Sequence, residues 1–459
     1  MSDLTCFKSY DIRGRVGVDL DEGIARRIGQ AFAQVLGQGC YVVGRDCRQS
    51  SPALSAALIE GIRAQGGDVI DIGEAGTEEV YFATTHFDAA GGVEITASHN
   101  PIDYNGMKFV GPGSRPLDPA SELSQLRALV QEDAFAPAAV PGGYRAATPR
   151  PAYARHVAGF IDPSHLHPMR IVVNAGNGIA GPAFDAIAAE LAARGAPLTF
   201  ERLHHRPDGR FPNGIPNPIL VENRPVTARA VRAHGADLGV AWDGDFDRCF
   251  LFDEAGAFVD GEYVVALLAA AFLADMPGAR IVHDPRVIWN TQAAIAEGGG
   301  RAVLSKTGHV YMKQKMREVD ALYGGEMSAH HYFRDFMFCD SGMIPWIKVA
   351  ERMAQTGRPL SALVGEMRAR FPSSGEVNFP VADSDRAMQA VLARYGPHAT
   401  DIAEMDGLSL SFDDWRLNLR RSNTEPLLRL NIETRGDRAM LGRRLAEIES
   451  LIGANNEDA

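Results

Sequence analysis

The sequence predicts a multidomain α/β protein that ends in a smaller α+β domain. Three observations carry this. The chain has 459 residues, more than one hydrophobic core can serve, which points to roughly three or four domains. A short β-branched run that ends in turn residues and precedes a helix-like segment occurs three times, as strands of a largely parallel sheet do. The C-terminal part instead alternates apolar and polar residues, the pattern of half-exposed antiparallel strands.

The three runs are Tyr41-Val42-Val43-Gly44 before Arg45-Asp46, Ile171-Val172-Val173-Asn174 before Ala175-Gly176-Asn177-Gly178, and Ile281-Val282-His283-Asp284 before Pro285-Arg286. Their likeness suggests three α/β domains of about 100–150 residues each. Helical spacing of apolar residues predicts helices over 24–36, 52–65, 123–130 and 182–193. Ser50-Ser51 ahead of Pro52 reads as an N-cap with proline in the first turn. Residues 136–151 are rich in Pro, Ala and Gly and read as a linker, with further boundaries near Gly256 and Phe371-Pro372. The apolar run 263–274 is too short to span a bilayer and reads as a buried helix. Residues 408–412, 415–419 and 427–432 read as strands, and 438–452 as an amphipathic helix.

Composition narrows the function. The chain is 46% hydrophobic and 23% charged, with a net charge of −12, which argues against nonspecific binding to nucleic acid or an anionic membrane. Its five cysteines are odd in number and no Cys-x-x-Cys occurs, so neither a zinc site nor a disulfide framework is indicated. Reduced thiols in a cytoplasmic protein are expected. The segment with Asp3, Lys8, Asp11 and Arg13 lacks the apolar core of a secretory signal. No interface stripe stands out, and a monomer or weak homodimer is expected.

Four segments carry chemistry. Thr96-Ala97-Ser98-His99-Asn100-Pro101 follows the strand-like run 91–96 and places a serine where an α/β sheet usually binds ligand, although such residues also make plain turns. Asp243, Asp245 and Asp247 follow the strand-like run 238–242. On an extended loop they would converge and repel one another unless a cation neutralised them, and hard oxygen ligands favour Mg²⁺. An EF-hand is excluded, because Arg248 stands where the turn needs glycine and Cys249-Phe250-Leu251-Phe252 reads as a strand, and a solvated acidic turn is the alternative. Glu326, Ser328 and His330 alternate in Gly324-Gly325-Glu326-Met327-Ser328-Ala329-His330-His331, which suits polyol recognition or a polar loop. Arg420-Arg421-Ser422-Asn423-Thr424-Glu425-Pro426 joins two predicted strands and offers a phosphate cradle. A serine hydroxyl beside a divalent-cation site is what phosphoryl transfer needs.

In this order the four segments resemble the phosphoserine, metal, sugar and phosphate loops of the α-D-phosphohexomutase family. The resemblance runs from Lys8-Ser9-Tyr10-Asp11-Ile12-Arg13-Gly14 to Pro426. Within the family, 324–333 and 211–218 carry a closer likeness to bacterial phosphomannomutases of GDP-mannose and surface-polysaccharide synthesis. The resemblance implies four domains around a central cleft: 1–148, 149–256 and 257–370 as mixed-sheet α/β domains, and 371–459 as an α+β domain that closes over substrate. It implies that Ser98 carries a phosphoryl group and binds Mg²⁺ together with Asp243, Asp245 and Asp247. Glu326 and Ser328 would hold sugar hydroxyls, and Arg420, Ser422, Asn423 and Thr424 the unreactive phosphate. Arg13, His99, Lys108, Arg248, His309 and His330 would line the cleft, with Lys108 and then His330 as candidates for general acid and base. Phe246 replaces a frequent glycine of the metal loop and should point away from the aspartates.

The implied reaction interconverts mannose 6-phosphate and mannose 1-phosphate through a hexose 1,6-bisphosphate, which also acts as activator. Mannose and glucose differ in the orientation of one hydroxyl, and a hydrogen bond is worth about 1 kcal/mol net, so a phosphoglucomutase or a dual-specificity enzyme is an open alternative. A sugar phosphatase with Asp243 as nucleophile, or a sugar-phosphate binding protein, are alternatives of another class.

Overall fold

The structure, a computed structural model, describes residues 4–421 and 427–457, apart from the side chains of 454–457. The chain divides into two compact units, Met1–Phe258 with His330–Gly357, and Val259–Ala329 with Arg358–Ala459.

The first unit begins with β1 (Ile12–Arg15), α1 (Glu22–Leu36), β2 (Cys40–Arg45), α2 (Ser51–Ala64), β3 (Asp68–Glu74), α3 (Thr77–His86), β4 (Gly91–Ile95), β5 (Tyr104–Val110), α4 (Ser124–Glu132) and β6 (Tyr144–Ala146). These strands form one sheet in the order β1-β5-β4-β2-β3-β6. β2 pairs parallel with β3 and β4, whereas β1 and β5 run antiparallel at one edge. Val43, Val93, Ile95 and Met107 meet Phe32, Leu54 and Leu58 of α1 and α2 in the core, as the 3.6-residue period of those helices requires.

A second α/β segment follows: α5 (Arg150–Ala158), β7 (Met169–Asn174), α6 (Ala180–Ala193), β8 (Leu198–Leu203), α7 (Arg224–His234), β9 (Leu238–Trp242) and β10 (Cys249–Phe252). Here β7 pairs parallel with β8 and β9, and β10 returns antiparallel on β9. In the second unit, Arg280–His283 pairs parallel with Arg301–Leu304 and Tyr323–Gly325. The three β-branched runs thus share one topology, each a strand flanked by its two successors.

The second unit also contains the helix Gly261–Asp275, in which residues 263–269 and 271–273 are all buried. Its C-terminal sheet is antiparallel throughout, in the order Val377–Pro380, Leu427–Thr434, Trp415–Arg421, Leu408–Ser411 and Asp401–Ala403. Leu410, Leu417, Leu419, Leu428, Leu430 and Ile432 pack with Val391 and Ile448 of the two helices beside it, which makes this the expected α+β domain. Among the described residues no helix is long and apolar enough to cross a membrane. All five cysteines are free thiols.

One local boundary is corrected and two expectations gain detail. Within the segment expected as a linker, Tyr144–Ala146 forms β6, which adds to the edge of the first sheet along β3, where its backbone polar groups are satisfied. Ser50 occupies the N-cap of α2 with proline in the first turn, as expected, but makes no capping bond. Asn105 uses the Ser50 and Ser51 hydroxyls instead. The helix expected over 123–130 starts at Ser124, after a π-helical turn over Pro119–Leu123 capped by Asp118.

Candidate active site

Ser98 lies in the loop between β4 and β5, at the carboxyl end of the parallel strands. Its backbone is left-handed, with φ 49°, a conformation that costs a non-glycine residue about 1 kcal/mol or more and must be held by its surroundings. Arg48 provides much of that hold. Its guanidinium, 1% exposed, donates to the carbonyls of Ser98 (3.1 Å), Asn100 (2.7 Å), Pro101 (2.8 Å) and Tyr104 (3.0 Å). The Ser98 amide donates to Thr96 Oγ1 at 2.9 Å.

The loop between β9 and β10 brings the aspartates to this serine. It is a turn closed by the Phe246 amide on the Asp243 carbonyl, with Phe246 at φ 48°, not the extended loop expected. The carboxylates converge nonetheless. Each is buried and offers an oxygen within 4.8 Å of the others. The Phe246 ring is buried on Gly76. Gly244 lies under Ser98, where a Cβ would stand 2.3 Å from the Ser98 carbonyl oxygen, so no side chain fits there.

Ser98 Oγ donates to Asp243 Oδ2 at 2.8 Å and lies 2.9 Å from His99 Nδ1. Arg248 Nε donates to the same Asp243 oxygen at 2.9 Å, and its guanidinium also touches His99. Loss of hydration, then the Arg248 charge, push the His99 pKa down, so the imidazole is neutral. Lys108 donates to Asp245 Oδ2 at 2.7 Å and to Asp247. Burial acts to lower its pKa, but the two carboxylates outweigh burial and hold the ammonium above its ordinary value. Thr77 donates to Asp245 Oδ2 at 2.8 Å, whereas Asp245 Oδ1 is buried with no hydrogen-bond partner among the described residues. That bare oxygen, in a cluster of three buried carboxylates beside a serine hydroxyl, fits a hard divalent cation. Arg13 donates to the Thr96 carbonyl at 2.7 Å, and His330 Nε2 lies 3.7 Å from Asp247 Oδ1. Arg13, Ser98, His99, Lys108, the three aspartates, Arg248 and His330 therefore form one cluster in the first unit.

Glu326, Ser328, His309 and Arg420 belong to the second unit. Glu326 is buried and accepts from the Gly308 amide at 2.7 Å, next to His309 at the start of the helix His309–Val319. The backbone turns at Ala329, with φ 71°, so the strict alternation expected through Glu326, Ser328 and His330 is not kept. Arg420 donates to Glu376 at 2.9 Å, Arg429 donates at 3.0 Å, and Arg286 stands 3.7 Å away. Ser422, Asn423 and Thr424 lie outside the described residues.

Four family models match the chain in order. They are described as phosphoglucomutase/phosphomannomutase α/β/α domain I over 5–136, domain II over 151–256, domain III over 260–371 and the C-terminal domain over 376–451. The chain belongs to the phosphoglucomutase/phosphomannomutase family. It is 53% identical to a phosphomannomutase of Salmonella montevideo over 99% of its own length and all of that protein. It is 54% identical to a Xanthomonas campestris protein named phosphohexose mutases, over 98% of its length and 99% of the relative's. The crystal structure of a phosphoglucomutase/phosphomannomutase family protein from Burkholderia thailandensis superposes with a TM-score of 0.87 at 31% identity, covering 99% of this chain and 98% of that one.

Sequence reasoning did not find Arg48, Thr77, Arg286 or Glu376. Arg48 acts on backbone carbonyls, which leave no trace in side-chain patterns. Arg286 follows the third β-branched run, at the place in that run that Arg45-Asp46 holds in the first, and this repeat was the one available signal.

Proposed function

We propose that this member of the phosphoglucomutase/phosphomannomutase family interconverts mannose 6-phosphate and mannose 1-phosphate through a phosphoserine at Ser98. The observation that carries the reading is the Ser98 hydroxyl held 2.8 Å from Asp243 within the buried triad. Identity above 50% to phosphomannomutases over nearly the whole chain supports the substrate.

Ser98 and the three aspartates would hold Mg²⁺, which when bound offsets negative charge on a transferring phosphoryl group. In the first step a substrate hydroxyl attacks phosphorus, the bond to Ser98 Oγ breaks, and the hydroxyl proton passes to a base. In the second, Ser98 Oγ gives up its proton and attacks the other phosphate of the hexose 1,6-bisphosphate, the bond from that phosphorus to the sugar oxygen breaks, and the sugar oxygen takes up a proton. His99, neutral and 2.9 Å from Ser98 Oγ, orients the nucleophile. Lys108 is the candidate for general acid and base, and His330 is the next. Arg13 and Arg248 face the transferring charge. Glu326, Ser328 and His309 hold the sugar, and Arg420, Ser422, Asn423 and Thr424 the distal phosphate, with the domain bounds 1–148, 149–256, 257–370 and 371–459. The chain would work in the cytoplasm, as a monomer or weak homodimer, supplying GDP-mannose and surface-polysaccharide synthesis.

The test is mass spectrometry of intact and digested protein before and after incubation with glucose 1,6-bisphosphate and Mg²⁺. A phosphoryl group on Ser98, with turnover in Ser98→Ala lowered by several orders of magnitude, supports the reading. Near-normal turnover in that variant sinks it. Inorganic phosphate released with Ser98 never modified would favour an Asp243-nucleophile phosphatase. A phosphoglucomutase or a dual-specificity enzyme is the alternative within the family, whose description names both activities, and the ratio of kcat/KM for glucose 1-phosphate and mannose 1-phosphate decides between them.

A further inference from the structure

Glu94 lies on β4, four residues before Ser98, and has no role in the reaction above. It is fully buried, and neither side-chain oxygen has a hydrogen-bond partner among the described residues. A carboxyl group stripped of water without a bond is costly, so its presence beside the site calls for a partner in another state of the protein. The antiparallel register of β4 and β5 sets Glu94 directly opposite Lys108. Such a pair leaves the sheet on one face with Cβ atoms about 4.5–5.5 Å apart. Lys108 is engaged elsewhere, on Asp245 and Asp247. An ammonium and a divalent cation repel when both sit on the same carboxylates, so a metal that enters beside the bare Asp245 Oδ1 favours a Lys108 that has left Asp245 and Asp247. Lysine's flexible four-carbon stem permits that movement.

We propose that Lys108 is the built-in cation of the metal-free triad and that Glu94 is the positioning residue that receives its ammonium when a divalent cation takes the carboxylates. The exchange keeps the Lys108 ammonium on a carboxylate in both states. It removes the repulsion between three bare carboxylates in one and supplies the missing partner of Glu94 in the other. The inference rests on the reading of the triad as a divalent-cation site.

The experiment measures Mn²⁺ affinity by electron paramagnetic resonance on dephosphorylated protein: wild type, Lys108→Met, Glu94→Gln and the double variant. Coupling of this kind is worth about tenfold, so Lys108→Met is expected to tighten Mn²⁺ by that factor. Glu94→Gln should weaken it similarly in the wild type and leave the Lys108→Met protein unchanged. Equal affinity in Lys108→Met and wild type, or the same weakening by Glu94→Gln in both backgrounds, overturns the exchange while leaving the metal site standing. No Mn²⁺ binding in wild type or Lys108→Met overturns both. Crystal structures of the wild type with EDTA and with Mn²⁺ need no variant. Lys108 on the aspartates in the first and on Glu94 in the second is the expected result, and Lys108 on the aspartates in both is the contrary one.

Discussion

Arg48 donates to the carbonyl of Ser98 at 3.1 Å from a position 50 residues earlier in the chain, so the loop after β2 fixes the loop after β4. The same guanidinium holds Asn100, Pro101 and Tyr104. Lysine at position 48 would keep the charge but lack the planar fork that reaches four carbonyls. Arg48→Ala should destabilise the first unit by about 3–5 kcal/mol, since it strips a buried charged partner from Asp46 as well. Arg48→Lys should recover less than half of that in urea denaturation, and both should lower kcat more than they raise KM.

Gly244 tests the close approach of the two loops. A methyl group there meets the Ser98 carbonyl oxygen at 2.3 Å, and relief requires that either loop move. Gly244→Ala should cost about 1–3 kcal/mol and reduce phosphorylation of Ser98 by the bisphosphate, read by intact mass. A variant with normal stability and normal phosphorylation would show that the loops slide freely.

Asp245 tests the metal. Saturating Mg²⁺ at about a hundredfold over Kd stabilises a binding protein by roughly 2.7 kcal/mol. The wild type should therefore show a rise in Tm with Mg²⁺ that Asp245→Asn lacks. Its turnover should fall on the order of a hundredfold or more. The same Mg²⁺-induced rise in the variant would move the metal away from this triad.

Glu78 governs part of the pH dependence of stability. Burial raises its pKa from 4.5 to about 8, with Tyr153 donating to it. Between those values the folded protein keeps a proton that the unfolded chain releases. Rising pH then favours unfolding, by about 1.4 kcal/mol per unit inside that window, and the effect is complete above pH 8 and absent below pH 4.5. Glu78→Gln cannot ionise, so its denaturation midpoint should fall less steeply from pH 5 to pH 8 than that of the wild type. Parallel slopes would assign the pH dependence elsewhere.

Glu376 tests the arginine cluster of the second unit. Burial works against its ionised form, but Arg286, Arg420 and Arg429 hold its pKa below 4.5. The stability it contributes is therefore present above pH 4.5 and lost as pH falls through the lower folded value. Glu376→Gln should remove that acid-side loss and free Arg420 for an incoming phosphate. A lower KM for the sugar phosphate is the expected kinetic result, and an unchanged KM would separate Arg420 from the phosphate site.

Much of this site is legible from residue order. Ser98 after one apolar run and three aspartates at alternate positions after another stand out through residue type and through their place behind predicted strands. The helices 24–36, 182–193 and 263–274 were readable because burial of one face or of all faces imprints a period on local sequence. Convergence of the aspartates was also expected, although the route differs. A strand period predicts an extended loop, whereas the left-handed Phe246 makes a turn, and nothing in the residue type of a phenylalanine announces φ 48°.

The sequence by itself determined the three α/β segments, the α+β end and the residues of the carboxylate triad, because these depend on hydrophobic period and on chemistry carried by neighbours in the chain. Only the tertiary structure decided what supports them. Arg48 under the Ser98 loop, Thr77 on Asp245, Lys108 across the triad and the unpartnered Glu94 opposite it are relations between residues 50 to 168 positions apart, or between strands whose register is set by packing. Such relations follow from which strands lie side by side, and a one-residue change of register would turn Glu94 or Lys108 to the other face of the sheet.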